Sequence, residues 1–206
     1  MLFVYLHGFL SGPNAVKAGI LRAFLKSYPQ HDIEVPAYPD DPVAASAYLE
    51  SFIRERLDKN MILVGSSMGG FMATILQSRF KLPAVLINPC VHPQDYFQKL
   101  TGTLHNDYSG EDFVPKPSML DFLKKLDIEA KNFIPEKTKV FLQTGDEVLD
   151  YRKAVYFYAG AHIHIAEGGC HAYGNFEKIC PEILKFASLW DKNTVYAIDF
   201  YNNLII

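Results

Sequence analysis

Gly65-Ser66-Ser67-Met68-Gly69 directly follows the apolar run Met61-Ile62-Leu63-Val64, so a serine-bearing turn leaves what reads as a buried strand. The pentapeptide has the form G-x-S-x-G with Ser67 at its centre. Glycines two before and two after the serine let the backbone swing sharply from strand into helix. That turn lifts the central hydroxyl above the sheet, at a helix N-terminus. The plain alternative is an ordinary strand-to-helix turn in which Ser66 or Ser67 caps the helix. A serine hydroxyl is a weak nucleophile at neutral pH. It needs a base, and the base needs an orienting acid.

Both occur downstream. Thr144-Gly145-Asp146-Glu147-Val148 follows the run 139–143, and Gly168-Gly169-Cys170-His171 follows the run 162–166. Asp146 stands directly past its strand, where a carboxylate can turn inward, although a turn or N-cap would also use it and Glu147 and Asp150 compete for the role. The chain order Ser, Asp, His is the one used by hydrolases built on an α/β sheet. The chemistry these residues fit is acyl transfer: Ser67 attacks a carbonyl, His171 takes its proton, and Asp146 holds the imidazole. Charge developing on the carbonyl oxygen calls for backbone N–H donors, each worth about 3 kcal/mol. Met68, just after the serine, supplies one. Phe9, in the loop His7-Gly8-Phe9-Leu10-Ser11-Gly12-Pro13, is expected to supply the other, with Leu10 second. His7 reads as a residue that holds this loop in shape. The loop lacks a Gly-Lys-Ser/Thr ending, so it does not read as a phosphate-binding loop.

These residues must be brought together by the elements around them. Apolar, β-rich runs occur at 2–6, 32–35, 61–64, 84–87, 139–143 and 162–166. Near-continuous apolar character marks strands buried on both faces, as in parallel sheets. Helical stripes lie between them: Ile20, Leu21, Phe24 and Leu25; Ala44, Tyr48, Phe52 and Ile53; Tyr151, Ala154, Val155 and Tyr158; Ile179, Ile183, Leu184 and Ala187. Alternation of strand and helix predicts an α/β fold with a six-stranded, mainly parallel sheet and helices on both faces. In such a sheet, ligands bind at the carboxyl ends of the strands, where Ser67, Asp146 and His171 all fall. Residues 1–190 read as one domain. Residues 91–137 form a cap-like insert with short helices near 93–100 and 118–126. Its aromatics (Tyr96, Phe97, Tyr108, Phe113 and Phe122) are placed to line an acyl pocket, together with Leu10 and Cys90. The tail 191–206 is apolar and is expected to pack on the domain or on a neighbouring subunit, giving self-association.

Composition narrows the classes. The 206 residues are 49% hydrophobic and 21% charged, with a net charge of -3. This fits a soluble globular protein and gives no electrostatic footprint for nucleic acid. The apolar start is too short for a membrane span, and no signal peptide is expected. Three cysteines at scattered spacing argue for a reducing cytoplasm over a disulfide framework. His162 and His164 alternate on one strand face, but without a third ligand they read as edge residues and not as a metal site. Cys90 reads as a small buried hydrophobe.

Taken together, YLHGF, VGSSMGG, LPAVLINP, QTGDEVLDYRKAVYFY and EGGCHAYGNFE resemble the YqiA-like esterases of the α/β-hydrolase superfamily, over most of the chain up to about residue 189. The resemblance implies a compact hydrolase fold without the first two strands of larger relatives, and ester or acyl thioester hydrolysis, with no cofactor. Carried over by position, Ser67 matches the nucleophile, Asp146 the acid and His171 the base. The chain departs from the family at Cys170, where Asn is usual, at Gly12, where a serine is usual, and in the rearranged Tyr173-Gly174-Asn175. The expected partner is a small acyl ester or thioester, including acyl-CoA. Acyl transfer or peptide hydrolysis by the same triad is the second reading, and a catalytically silent binding module the third, since fold alone does not fix function.

Overall fold

The structure, a computed structural model, describes residues 1–191. The expected tail beyond Asp191 lies outside the described residues. Six strands, β1 (Leu2–Leu6), β2 (Asp32–Glu34), β3 (Met61–Ser66), β4 (Ala84–Ile87), β7 (Thr138–Gln143) and β8 (His162–Ala166), form one sheet in the order β2-β1-β3-β4-β7-β8. Every neighbouring pair is parallel. All six lie on the runs read from sequence.

The two faces of the sheet carry different helices. Leu2, Val4, Leu6, Leu63 and Leu86 point to a core shared with α2 (Pro42–Arg54), α3 (Met68–Phe80), α5 (Pro117–Ala130) and α6 (Tyr151–Phe157). Phe3, Tyr5, Ile62, Val64 and Phe141 point the other way, against α1 (Val16–Leu25) and α7 (Cys180–Ser188). The period-two alternation of each strand therefore feeds two cores, which is why the runs look apolar throughout. The central helix α3 is buried from Met68 to Ser78, a helix wrapped on all sides, so it shows no amphipathic stripe.

β8 is an outer strand. His162 is exposed there and His164 half-buried, their rings against Phe186 and Phe141. Among the described residues no three His, Cys, Asp or Glu side chains gather as a metal site would require. No helix among the described residues is long and apolar enough to cross a membrane.

The insert holds more structure than its sequence suggested. α4 (Pro93–Phe97) is short, and α5 runs longer than expected. Met119, Leu123, Leu126 and Ala130 make a stripe on α5 that packs toward α2, α3 and α4. Between α4 and α5 lies an antiparallel hairpin, β5 (Leu104–Asn106) and β6 (Glu111–Phe113). Leu104-His105-Asn106 and Glu111-Asp112-Phe113 each hold a single apolar residue, so neither stands out as an apolar run.

Candidate active site

Ser67 sits where β3 passes into α3, with φ 54° and ψ -122°. Such a backbone is sparsely populated for a side chain with a Cβ and costs on the order of 1–3 kcal/mol. Its neighbours enforce it. The Ser67 N–H donates to Ile87 O at 3.1 Å, and the Ser67 carbonyl accepts from Gly70, Phe71 and Cys90 N–H groups. A Cβ at Gly65 would run into the Gly69 carbonyl, and one at Gly69 into the carbonyls of Leu6 and His7. Both glycines of the pentapeptide are thus required by close backbone approach, not by turn conformation alone.

Above this turn three side chains meet. Ser67 Oγ lies 3.0 Å from His171 Nε2, and His171 Nδ1 lies 2.9 Å and 3.0 Å from the two carboxylate oxygens of Asp146. The Asp146 side chain is only 2% exposed, and its Oδ1 also accepts the N–H groups of Val148 and Leu149. Those two bonds lock the carboxylate toward the imidazole. The competing carboxylates are occupied elsewhere. Asp150 caps α6 by accepting Arg152 N–H and pairs with the Arg152 guanidinium. Glu147 accepts the backbone N–H of His171 at 2.9 Å, which holds its carboxyl below the usual range. A hydroxyl, an imidazole and a buried carboxylate in this series can activate the hydroxyl by moving its proton to the ring.

Sequence reading missed the residues that support the histidine loop. Buried Asn88 donates its Nδ2 to the carbonyls of Cys170 and His171 at 3.1 and 3.2 Å, while its Oδ1 accepts Gln143 N–H. Buried Gln143 accepts from the N–H groups of Cys170 and Gly174 and donates to the Gly174 carbonyl. Cys170 thus joins this network through its backbone, so the loop is tied down whatever its side chain does.

The β1 loop is braced as firmly. Leu10, with φ 52°, donates its N–H to Asp40 Oδ1 at 2.7 Å. Asp40 Oδ2 accepts Asn106 Nδ2 at 2.6 Å, and that nitrogen also donates to the Ser11 carbonyl. His7 stacks on Tyr38 at 4.0 Å, and its Nδ1 lies 3.0 Å from the Gly8 carbonyl; burial pulls its pKa down. With the Leu10 N–H taken by Asp40, Phe9 is left as the candidate donor of the two. Among the described residues neither Phe9 N–H nor Met68 N–H meets an acceptor. Gly12 has a specific use: a Cβ there would lie 2.9 Å from the Tyr108 Cβ, so the bare backbone lets the hairpin close on the loop.

The expected pocket residues need correction. A groove of about 490 Å³ is bordered by Ser67 and His171, and its walls are Phe9, Ala15, Val16, Lys17, Ile20, Tyr108 and residues 172–177. None of Leu10, Cys90, Tyr96, Phe97 and Phe122 borders it. Leu10 is packed against the core, partly buried. Phe97 is buried in an aromatic cluster with Phe9 and Phe113. Phe122 is half-buried against the core from α5. Cys90 and Tyr96 border a separate cleft of about 210 Å³ beside Asp146. Burial pushes the Cys90 thiol up to about 12, which removes it as a nucleophile. Of the aromatics expected to form the pocket, only Tyr108 lines the groove. The missed signal was Val16, an apolar residue off the core stripe of α1 and 71% exposed.

A family model described as an uncharacterised protein family, UPF0227, matches residues 2–188. Among solved structures, Est1E from Butyrivibrio proteoclasticus with bound ferulic acid superposes with a TM-score of 0.71 at 11% identity, covering 92% of this chain and 88% of that one. The Pyrococcus furiosus esterase Pf2001 gives 0.64 at 15% identity, covering 92% and 81%. Alpha/beta hydrolase domain-containing protein 10 from mouse gives 0.63 at 14% identity, covering 89% and 88%. At these identities the likeness shows the fold, which is that of the α/β-hydrolases.

Proposed function

The chain belongs to the uncharacterised protein family UPF0227, and we propose that it is a serine hydrolase of carboxylic esters and acyl thioesters, acyl-CoA among them. The observation that carries this reading is the unbroken hydrogen-bond series from Ser67 Oγ through His171 to buried Asp146. Ser67 Oγ attacks the carbonyl carbon as His171 Nε2 takes its proton. Asp146 keeps the proton on Nδ1 and stabilises the imidazolium. The oxyanion is held by Phe9 and Met68 N–H. Protonated His171 gives its proton to the departing alcohol or thiol. A water then adds to the acyl-enzyme with His171 as base, releasing the acid and restoring Ser67. The names of two structural neighbours support the class: one is an esterase, and another holds ferulic acid. We place the catalytic unit over residues 1–190, with 91–137 as its insert, in a reducing cytoplasm in keeping with its three free cysteines.

The test is covalent labelling with an alkyl fluorophosphonate, mapped by mass spectrometry, beside a panel of acyl esters and acyl thioesters. An adduct on Ser67 with release of free acid is expected. Acyl transfer to an added alcohol, or peptide cleavage without ester cleavage, would favour the second reading of the triad. An unlabelled Ser67 in folded protein would leave a silent module.

The oxyanion assignment has its own consequence. Asp40 fixes Leu10 and, through Asn106, ties the β1 loop to the hairpin. Asp40→Ala should let Phe9 N–H drift, and misplacement of about 1 Å can cost roughly 100-fold in rate. We expect kcat to fall by about 10- to 100-fold on a short ester, with little change in KM and an intact circular dichroism spectrum. An unchanged kcat would mean that the loop is held without Asp40, or that Phe9 is not the donor.

A further inference from the structure

One cation of the groove has no role in the chemistry above. Lys17 lies in the first turn of α1, and its Nζ donates to the Ala172 carbonyl at 2.9 Å, one residue past His171. Among the described residues it forms no ion pair. An ammonium carries three donors, so two remain for whatever enters the groove. Burial lowers its pKa, and the charge of Asp146 offsets part of this. Asp146 is already committed to His171. The ammonium therefore borders the groove with donors to spare and no ion pair of its own among the described residues.

We propose that Lys17 binds an anionic group, a carboxylate or a phosphate, carried by the ester, so that the preferred substrates are esters of diacids or of phosphorylated alcohols and thiols. The proposal rests on the ester-hydrolysis reading above. Ala15, Val16, Ile20, Tyr108 and Phe176 give the same groove apolar walls for the carbon chain between the anion and the carbonyl. Lys17 lines the same groove as Ser67 and is bonded to the residue that follows His171, so an anion on the substrate can meet it while the carbonyl lies at the serine. Glu177 carries the opposite charge on the same groove and would disfavour a substrate bound in the reverse sense.

The experiment compares kcat/KM for two anionic esters with that for neutral p-nitrophenyl butyrate. The hemisuccinate p-nitrophenyl ester carries a carboxylate on the acyl side, and the butyryl ester of hydroxyethyl phosphate carries a phosphate on the alcohol side. A charged hydrogen bond lost to substitution is worth about 10- to 100-fold. In K17M the anionic-to-neutral ratio should therefore fall at least about tenfold for one of the two esters, and which one falls tells carboxylate from phosphate. K17R should keep most of the ratio, and K17E should reverse it. If K17M lowers all three esters by the same factor, or none, Lys17 only tethers Ala172 and the proposal is wrong. A second readout needs no turnover: protection of Ser67 from fluorophosphonate by monomethyl succinate or by hydroxyethyl phosphate. Should the wild type hydrolyse no ester, protection that is lost in K17M would uphold the anion site while the hydrolase reading fails. Protection absent from the wild type, or equal in both proteins, would overturn the site.

Discussion

Ser67→Ala is expected to remove ester hydrolysis by about four to six orders of magnitude and to abolish fluorophosphonate labelling, while the protein stays folded. Folding should survive because the strained turn is held by its backbone. The Ser67 N–H and carbonyl make four hydrogen bonds that an alanine keeps, and the hydroxyl serves only His171. Ser66→Ala is the control. Ser66 ends β3, is 4% exposed and is hydrogen-bonded by Tyr5, and its hydroxyl makes no bond to His171. Its loss should cost less than about tenfold, the scale of one ordinary neutral hydrogen bond. The measurement is kcat/KM on a short acyl ester for both variants, with labelling stoichiometry. Equal losses from the two substitutions in folded protein would sink the assignment of Ser67.

How much of this was legible beforehand follows from the distance between partners along the chain. The six strands were readable because each is one apolar run. The serine turn was readable because its glycines are two residues away on either side. Ser67, Asp146 and His171 were readable because each closes a strand, and a parallel sheet gathers its strand ends on one edge. The supporting contacts have no local signature. Asn88 reaches the histidine loop from 82 and 83 residues away, and Asp40 meets Asn106 across 66. Asn88 sits in LINP and Asp40 in YPDD, where both types read as turn residues. The pocket was misread for a related reason. A long insert at the catalytic edge suggested a wall of aromatics, but Phe97, Phe113 and Phe122 are drawn into the core by the area they can bury. The groove is walled instead largely by α1 and the 172–177 loop, and nothing local in either segment marks it as a pocket wall.

The same logic of partners decides between Asp146 and Glu147, adjacent carboxylates that composition cannot separate. In Asp146→Asn the amide oxygen can still accept the N–H groups of Val148 and Leu149, so the loop should keep its shape. The amide nitrogen would then face His171 Nδ1 and donate to it. That reverses the tautomer, putting the proton on Nε2, where the ring donates to Ser67 instead of taking its proton. A change of this kind is worth about 10⁴ in kcat in the chymotrypsin-type triad, and we expect a loss of that order here with KM little altered. Glu147→Gln differs, because its task is to accept the backbone N–H of His171 at the rim, and a glutamine oxygen accepts that bond as well. Its cost should stay below about tenfold. Steady-state kinetics on both variants with one short ester gives the answer. If Glu147→Gln lost activity as severely as Asp146→Asn, the histidine loop and not the histidine tautomer would be limiting, and the division of labour between the two carboxylates would have to be reversed.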